Sequence, residues 1–160
     1  MIGAYVVKQS DIQTNRTKSD SIGMGSYDSD SHNVQRVVMA DGSIRNEGEI
    51  QAPVQPYEIP YRAITPRRDD IQNMLVPVCL SASHVAYSSL RMEPQYMIVG
   101  QAAGFAAAQA AAGNKAVQEV DVAQLQKELR STGSILHLED EPRESHLRAA
   151  FNALLRLLHL

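Results

Sequence analysis

Residues 95–112 carry no charged side chain, are dominated by alanine, and run from Pro94 to Gly113. Alanine is the strongest helix former, proline is accepted in a first helical turn, and glycine is favoured at a helix end. The stretch therefore predicts a long helix. Gly100, Ala103, Gly104, Ala107, Ala108 and Ala111 recur at helical spacing within it, so one face is almost bare of side chains and another backbone can approach it closely.

The flanking segments predict a mixed α/β or α+β chain. Residues 4–7 are apolar and read as a strand, followed by a polar loop as far as Ile22. Residues 34–39 are rich in β-branched side chains, Asp41-Gly42 supplies a turn, and a second segment returns around Ile44, which together predict a β-hairpin. Pro53, Pro56, Pro60 and Pro66 exclude helix from residues 50–66 and favour extended backbone, with a charged turn at residues 66–70. The apolar run at residues 74–80 has strand length, and its Pro77 places it at a sheet edge or strand end. A loop of small residues, 81–89, leads into the alanine-rich helix. Beyond it, Asp121 caps a helix that places Val122, Leu125 and Leu129 on one face and ends at Gly133, and residues 135–138 read as a strand. In the tail from residue 142, Leu147, Phe151, Leu154, Leu155 and Leu158 fall on one side of an amphipathic helix.

The totals narrow the function classes. A formal net charge of -3 gives no basic footprint for DNA or RNA, so no nucleic-acid partner is expected. Cys79 is the single cysteine, which excludes an internal disulfide and a thiolate zinc site, and the five histidines show no metal-ligand spacing. No metal is expected. The first residues lack a basic segment followed by an apolar core, so no signal peptide is read, and the compartment is cytoplasmic by default.

Residues 73–94, NMLVPVCLSASHVAYSSLRMEP, continuing into GQAAGFAAA at residues 100–108, closely resemble the C-terminal flavin-contacting signature of FAD-dependent oxidoreductases of the xanthan-lyase-associated type. DSIGMGSYDSDSH at residues 20–32 and PYEIPYR at residues 56–62 resemble the substrate-side region of the same family. The resemblance implies FAD as cofactor, a glutathione-reductase-like flavoprotein fold and a small organic substrate. In that fold a strand, here residues 75–80, delivers the chain to the flavin. A small-residue loop passes the ring, and a helix then starts with its N-terminus aimed at the pyrimidine end. Free N–H groups there stabilise the negative charge of a reduced flavin.

The cofactor contacts so implied are Cys79, Ser81, Ser83, His84, Ser88, Ser89, Leu90, Arg91 and Met92, with Arg91 adding a cation and Cys79 a small buried residue. Residues 1–72 would then be part of a substrate-binding region, residues 73–141 the C-terminal part of the FAD-binding domain, and residues 142–160 a helical tail. The pattern departs from the family in two respects: the tail after Glu141 matches nothing of it, and the dinucleotide-binding loop is missing. No Gly-x-Gly-x-x-Gly follows an apolar strand; Gly23 and Gly25 make Gly-x-Gly, but Asp28 stands at the third position. The ADP half of FAD has no recognisable site. The expectation is an incomplete flavoprotein fold, a hairpin-rich substrate portion joined to one strand and the long helix, and a chain inactive alone.

His32, with Asp28 and Asp30 just before it, is the candidate general acid or base for a hydride transfer that requires loss of a proton from a neighbouring oxygen or nitrogen. Tyr61 and Arg62 are candidates for orienting a polar substrate, and Arg91 for stabilising the reduced flavin. A hydrolase triad of Ser83, His32 and Asp30 has no Gly-x-Ser-x-Gly elbow to support it. The alternative function is a non-catalytic membrane or protein-interaction module built on the Gly/Ala helix. Its alanine and glutamine content makes a membrane span unfavourable, and no membrane partner is expected. An incomplete fold with exposed apolar helix faces would also be prone to self-association.

Overall fold

A computed structural model describes residues 1–140. The amphipathic tail expected from residue 142 lies outside the described residues. The fold is mixed α/β, built from small antiparallel ladders and four α-helices. β1 (Ser21–Gly25) pairs with β6 (Tyr57–Pro60), β2 (Ser29–Ser31) with β5 (Ile50–Ala52), and β3 (Gln35–Val38) with β4 (Ile44–Glu47). The β3–β4 hairpin is the one read from its β-branched residues. Its turn uses Gly42 at φ +81°, where a side chain would be strained, and the Asp41 carboxylate accepts from the Ser43 N–H and hydroxyl.

The helices pack on the β1–β6 and β2–β5 ladders. α1 (Gln9–Gln13) is capped by Asp11, whose carboxylate accepts from the Lys8 N–H at 2.8 Å. α2 (His84–Leu90) packs on β2, and α3 (Glu93–Ala112) packs on β1 with α4 (Val122–Ser131) beside it. As the sequence predicted, α3 has Pro94 in its first turn and Gly113 as C-cap, and Asp121 caps α4 by accepting from Gln124. One hydrophobic cluster joins residues on both sides of position 72, including Ile22, Tyr57, Ile59, Leu90, Val99 and Leu136.

Five expectations are corrected. Residues 4–7 form no strand but isolated bridges, Gly3 to Pro66 and Val7 to Ala82, and α1 replaces the start of the predicted loop. Residues 75–80 form no strand. Pro77 contributes no N–H, and the segment attaches instead through Val76 N to the Ile64 carbonyl and Ser81 N to the Ala63 carbonyl. Cys79 is therefore exposed, not buried. The predicted loop at residues 81–89 contains α2, because Ser83 supplies an N-cap whose hydroxyl accepts from Ala86. Residues 135–138 also form no strand; the Asp140 carboxylate takes the Leu136 and His137 N–H groups and bends the chain into a turn.

The α3 surface facing the protein is not the one with the least bulk. Gln95, Val99, Ala102, Ala103, Ala106 and Ala110 are buried, whereas a Cβ on Gly100 or Gly104 would meet no atom within 4 Å among the described residues. The face that admits close backbone approach is open.

Candidate functional site

The segment Ser83 to Met92 and the segment Ser26 to Ser31 are far apart in sequence and are fastened together by hydrogen bonds. The Ser31 hydroxyl lies 2.7 Å from His84 Nε2, and the Arg91 guanidinium donates to the Asp30 carbonyl at 2.8 Å. Ser89 donates to the Tyr27 carbonyl and its oxygen lies 2.8 Å from the Tyr57 hydroxyl. Burial pushes that tyrosine hydroxyl up to about 12, with the Ser89 bond pulling weakly the other way. Tyr57 stays protonated and serves as a fixed strut between β6 and α2.

α2 ends at Leu90 and α3 starts at Glu93, so Arg91 and Met92 form an elbow between them. The first-turn amides of a helix have no partner within the helix, and Pro94 removes one of them. Glu93 and Gln95 thus present N–H groups at the elbow. Beside it runs a groove of about 750 Å³ between the end of β1, the first turns of α3 and residues 132–138. Its walls include Met24, Pro56, Met92, Ile98, Ile135 and Leu138, and Gln95 lies within it while being almost wholly buried. Ser26 and Tyr27 form a rim shared with a second, more polar recess containing Asp28 and Asp30.

Residues 132–138 are held in place from below. The Ser21 hydroxyl donates to the Leu136 carbonyl at 2.7 Å, and His137 Nδ1 lies 2.7 Å from the carboxylate of buried Glu58. The other Glu58 oxygen accepts from the Lys18 N–H at 2.5 Å. Lys18 is itself buried and pairs with Asp11 at 3.3 Å. Burial would raise the Asp11 carboxyl, but the Lys8 N–H, the Tyr5 hydroxyl and the Lys18 ammonium outweigh it and hold it below the usual range.

The residues singled out from the sequence are distributed unevenly around this site. Met92 lines the groove and Arg91 stands at the elbow. His84 and His32 flank the same stretch of β2, both exposed. Ser81, Ser88 and Ser89 are buried and spend their hydroxyls internally, Ser81 accepting from Gly3 N and Ser88 donating to the Val85 carbonyl. Leu90 is a core residue. Tyr61 is also in the core, its hydroxyl donating to the Val117 carbonyl and pushed up to about 12 by burial, a packing role. Arg62 grips Asp20 at 2.8 Å and stacks on the Tyr5 ring at 4.5 Å, a structural use of the side chain. Ser83 and His32, of the triad the sequence does not support, are not joined; Ser31 and His84 are, with Ser31 buried. Gln95 escaped the sequence reading because it was counted as part of an uncharged helix; its position in the first turn, one residue after Pro94, was the available signal.

A family model described as FAD dependent oxidoreductase matches residues 1–129, most of the chain. The chain belongs to that family. Comparison with curated proteins and with solved structures gave no match. For a family that binds FAD, the groups at the elbow are of a kind that could face the ring end of the cofactor: the Glu93 and Gln95 amides, unpartnered among the described residues, the Arg91 cation and the Met92 thioether. The described residues show no Gly-x-Gly-x-x-Gly turn to hold the pyrophosphate end. Groups of three or more His, Cys, Asp or Glu able to hold a metal ion are absent among the described residues. No helix among them is long and apolar enough to cross a membrane.

Proposed function

We propose that this chain supplies the flavin-facing elbow and part of the substrate side of an FAD-dependent oxidoreductase of the xanthan-lyase-associated type. The observation that carries the reading is the docking of residues 83–92 onto residues 26–31, which aims the first turn of a 20-residue helix at the rim of a groove. Bound FAD would accept a hydride equivalent from an organic substrate. The chain's own residues would do the rest. The Glu93 and Gln95 amides and the Arg91 guanidinium favour negative charge at the elbow, and the Asp30 carbonyl keeps that guanidinium turned toward β2. His32, exposed two residues beyond Asp30, accepts the substrate proton. The open Gly100 and Gly104 face of α3 is read as the seat of a nucleotide-binding layer contributed from beyond these residues.

The test is the visible spectrum of the purified chain after incubation with excess FAD and removal of free ligand. The expected result is weak, substoichiometric retention, strengthened when a polypeptide carrying the Gly-rich dinucleotide loop is supplied. Absence of flavin binding in both settings would end the proposal.

A further inference from the structure

We infer that the groove beside the first turn of α3 is the seat of the chain's own tail, residues 142–160, which lays the side chains of Leu147, Phe151, Leu154, Leu155 and Leu158 against it. The inference stands apart from the flavin reading. The groove is apolar and open. Met24, Ile98 and Ile135 are only half-buried in its walls and Leu138 is 50% exposed, so this surface has no cover among the described residues. No Asp, Glu, Lys, Arg or His lines it among those residues. A charged group entering it would lose water without gaining a counter-charge, so the occupant must offer apolar side chains.

The route of the chain selects that occupant. Leu138 belongs to the groove wall, and the described residues end two positions later, at Asp140. That end is pinned to the wall. The Asp140 carboxylate accepts from the Leu136 and His137 N–H groups, each at 3.1 Å, and pairs with Arg130 at 3.1 Å. The tail is thus tethered at the rim, where the effective concentration of a linked segment is on the order of millimolar. Its sequence carries the matching chemistry. The five apolar residues recur at i, i+4, i+7, i+8 and i+11, whereas Arg148, Asn152, Arg156 and His159 fall on the opposite side of the same helical period. Apolar anchors at this spacing are what a hydrophobic groove takes from an amphipathic segment, with the charged side left in water.

The experiment uses the full chain with Cys79→Ser, labelled with 15N and carrying a nitroxide at Arg156→Cys, on the polar side of the tail. With the nitroxide oxidised, the amide signals of Met24 and Ile98, far from the tail in sequence, are expected to lose most of their intensity and to regain it on reduction. Val38 and Ile44 of the β3–β4 hairpin line no part of the groove and should keep theirs. Phe151→Asp together with Leu154→Asp in the same labelled chain should restore the Met24 and Ile98 signals and shift their positions. A mixture of 15N chain lacking the nitroxide with nitroxide chain lacking 15N shows which copy supplies the tail, and no loss is expected there. Full intensity at Met24 and Ile98 in the labelled chain overturns the inference, as does a loss that survives the double substitution. Equal loss in the mixture also overturns it, because a second copy would then be filling the groove.

Discussion

Gly25 ends β1 under the ring of Tyr57, and a methyl group there tests how rigidly the elbow is supported. A Cβ at Gly25 would lie 2.7 Å from the Tyr57 hydroxyl oxygen, 2.8 Å from Cζ and 3.1 Å from Cε2. Unstrained carbon contacts lie near 3.5–4.0 Å, so the ring must retreat by roughly 1 Å. Tyr57 is fully buried and bonded to Ser89, so there is no vacant space to accept the shift and the hydrogen bond to α2 is broken. Overpacking contributes about 1–3 kcal/mol and the lost hydrogen bond about 1 kcal/mol, giving ~2–4 kcal/mol for Gly25→Ala. At roughly 3 °C per kcal/mol for a chain of this length, the melting temperature falls by ~6–12 °C. Thermal and urea unfolding followed by far-ultraviolet circular dichroism measure it. The cycle with Tyr57→Phe identifies the mechanism: the double variant should be about 1 kcal/mol less damaged than the sum of the singles, because the bond to be broken is already absent. A Gly25→Ala loss below about 0.5 kcal/mol, or strict additivity, would refute the reasoning.

Gly100→Ala and Gly104→Ala are expected to do the reverse, each raising stability by roughly 0.5–1 kcal/mol in urea unfolding, since helix propensity improves and no described atom is met. A loss at either position would show that this face is covered in solution. The tyrosines set an alkaline limit. Tyr5, Tyr57 and Tyr61 are each raised from 10.0 to about 12, foremost by burial. Their folded-state values exceed the unfolded one, so their contribution is complete below pH 10 and declines as pH rises toward about 12. Tyr96 is raised too, by burial and its bond to Tyr87, so tyrosinate absorbance followed beside melting temperature against pH should show four of the six tyrosines titrating late.

What the sequence made legible was whatever is decided locally. The hairpin at Asp41-Gly42, the Pro94 and Gly113 limits of α3, and the Asp121 cap of α4 each depend on a residue whose backbone preference is strong without help from elsewhere. The failures at residues 75–80 and 135–138 share another cause. Both are apolar runs of strand length, and a strand needs a partner edge that no run can supply for itself; here Pro77 and the Asp140 carboxylate direct the backbone bonds elsewhere. α2 was obscured by its serines, which are weak helix formers but are used here as a cap and as bonds to Tyr27, between β1 and β2, and to Tyr57 of β6. In the site, the family motif singled out Arg91 and Met92, which the structure places between α2 and α3. It gave no warning that the Ser81, Ser88 and Ser89 hydroxyls are directed inward, because orientation depends on which strands lie alongside. Gln95 was invisible for the same reason: its burial and its place in the groove depend on elements distant in sequence.

The wall formed by residues 132–138 carries a consequence for the order of assembly. Leu136 answers to Ser21 across 115 positions, and His137 to Glu58 across 79. Contacts of such long span form slowly, after hairpins and helices that close over short distances. The β1–β6 ladder must therefore exist first, with the Glu58 carboxylate held by Lys18 alone until His137 arrives. A refolding time course should show amide protection in β1 and β6 ahead of that at Leu136 and His137. Native-state exchange should release the latter pair at a lower free energy than the strands beneath them. If all four segments gained protection together, the wall would be part of the nucleus and not its last addition.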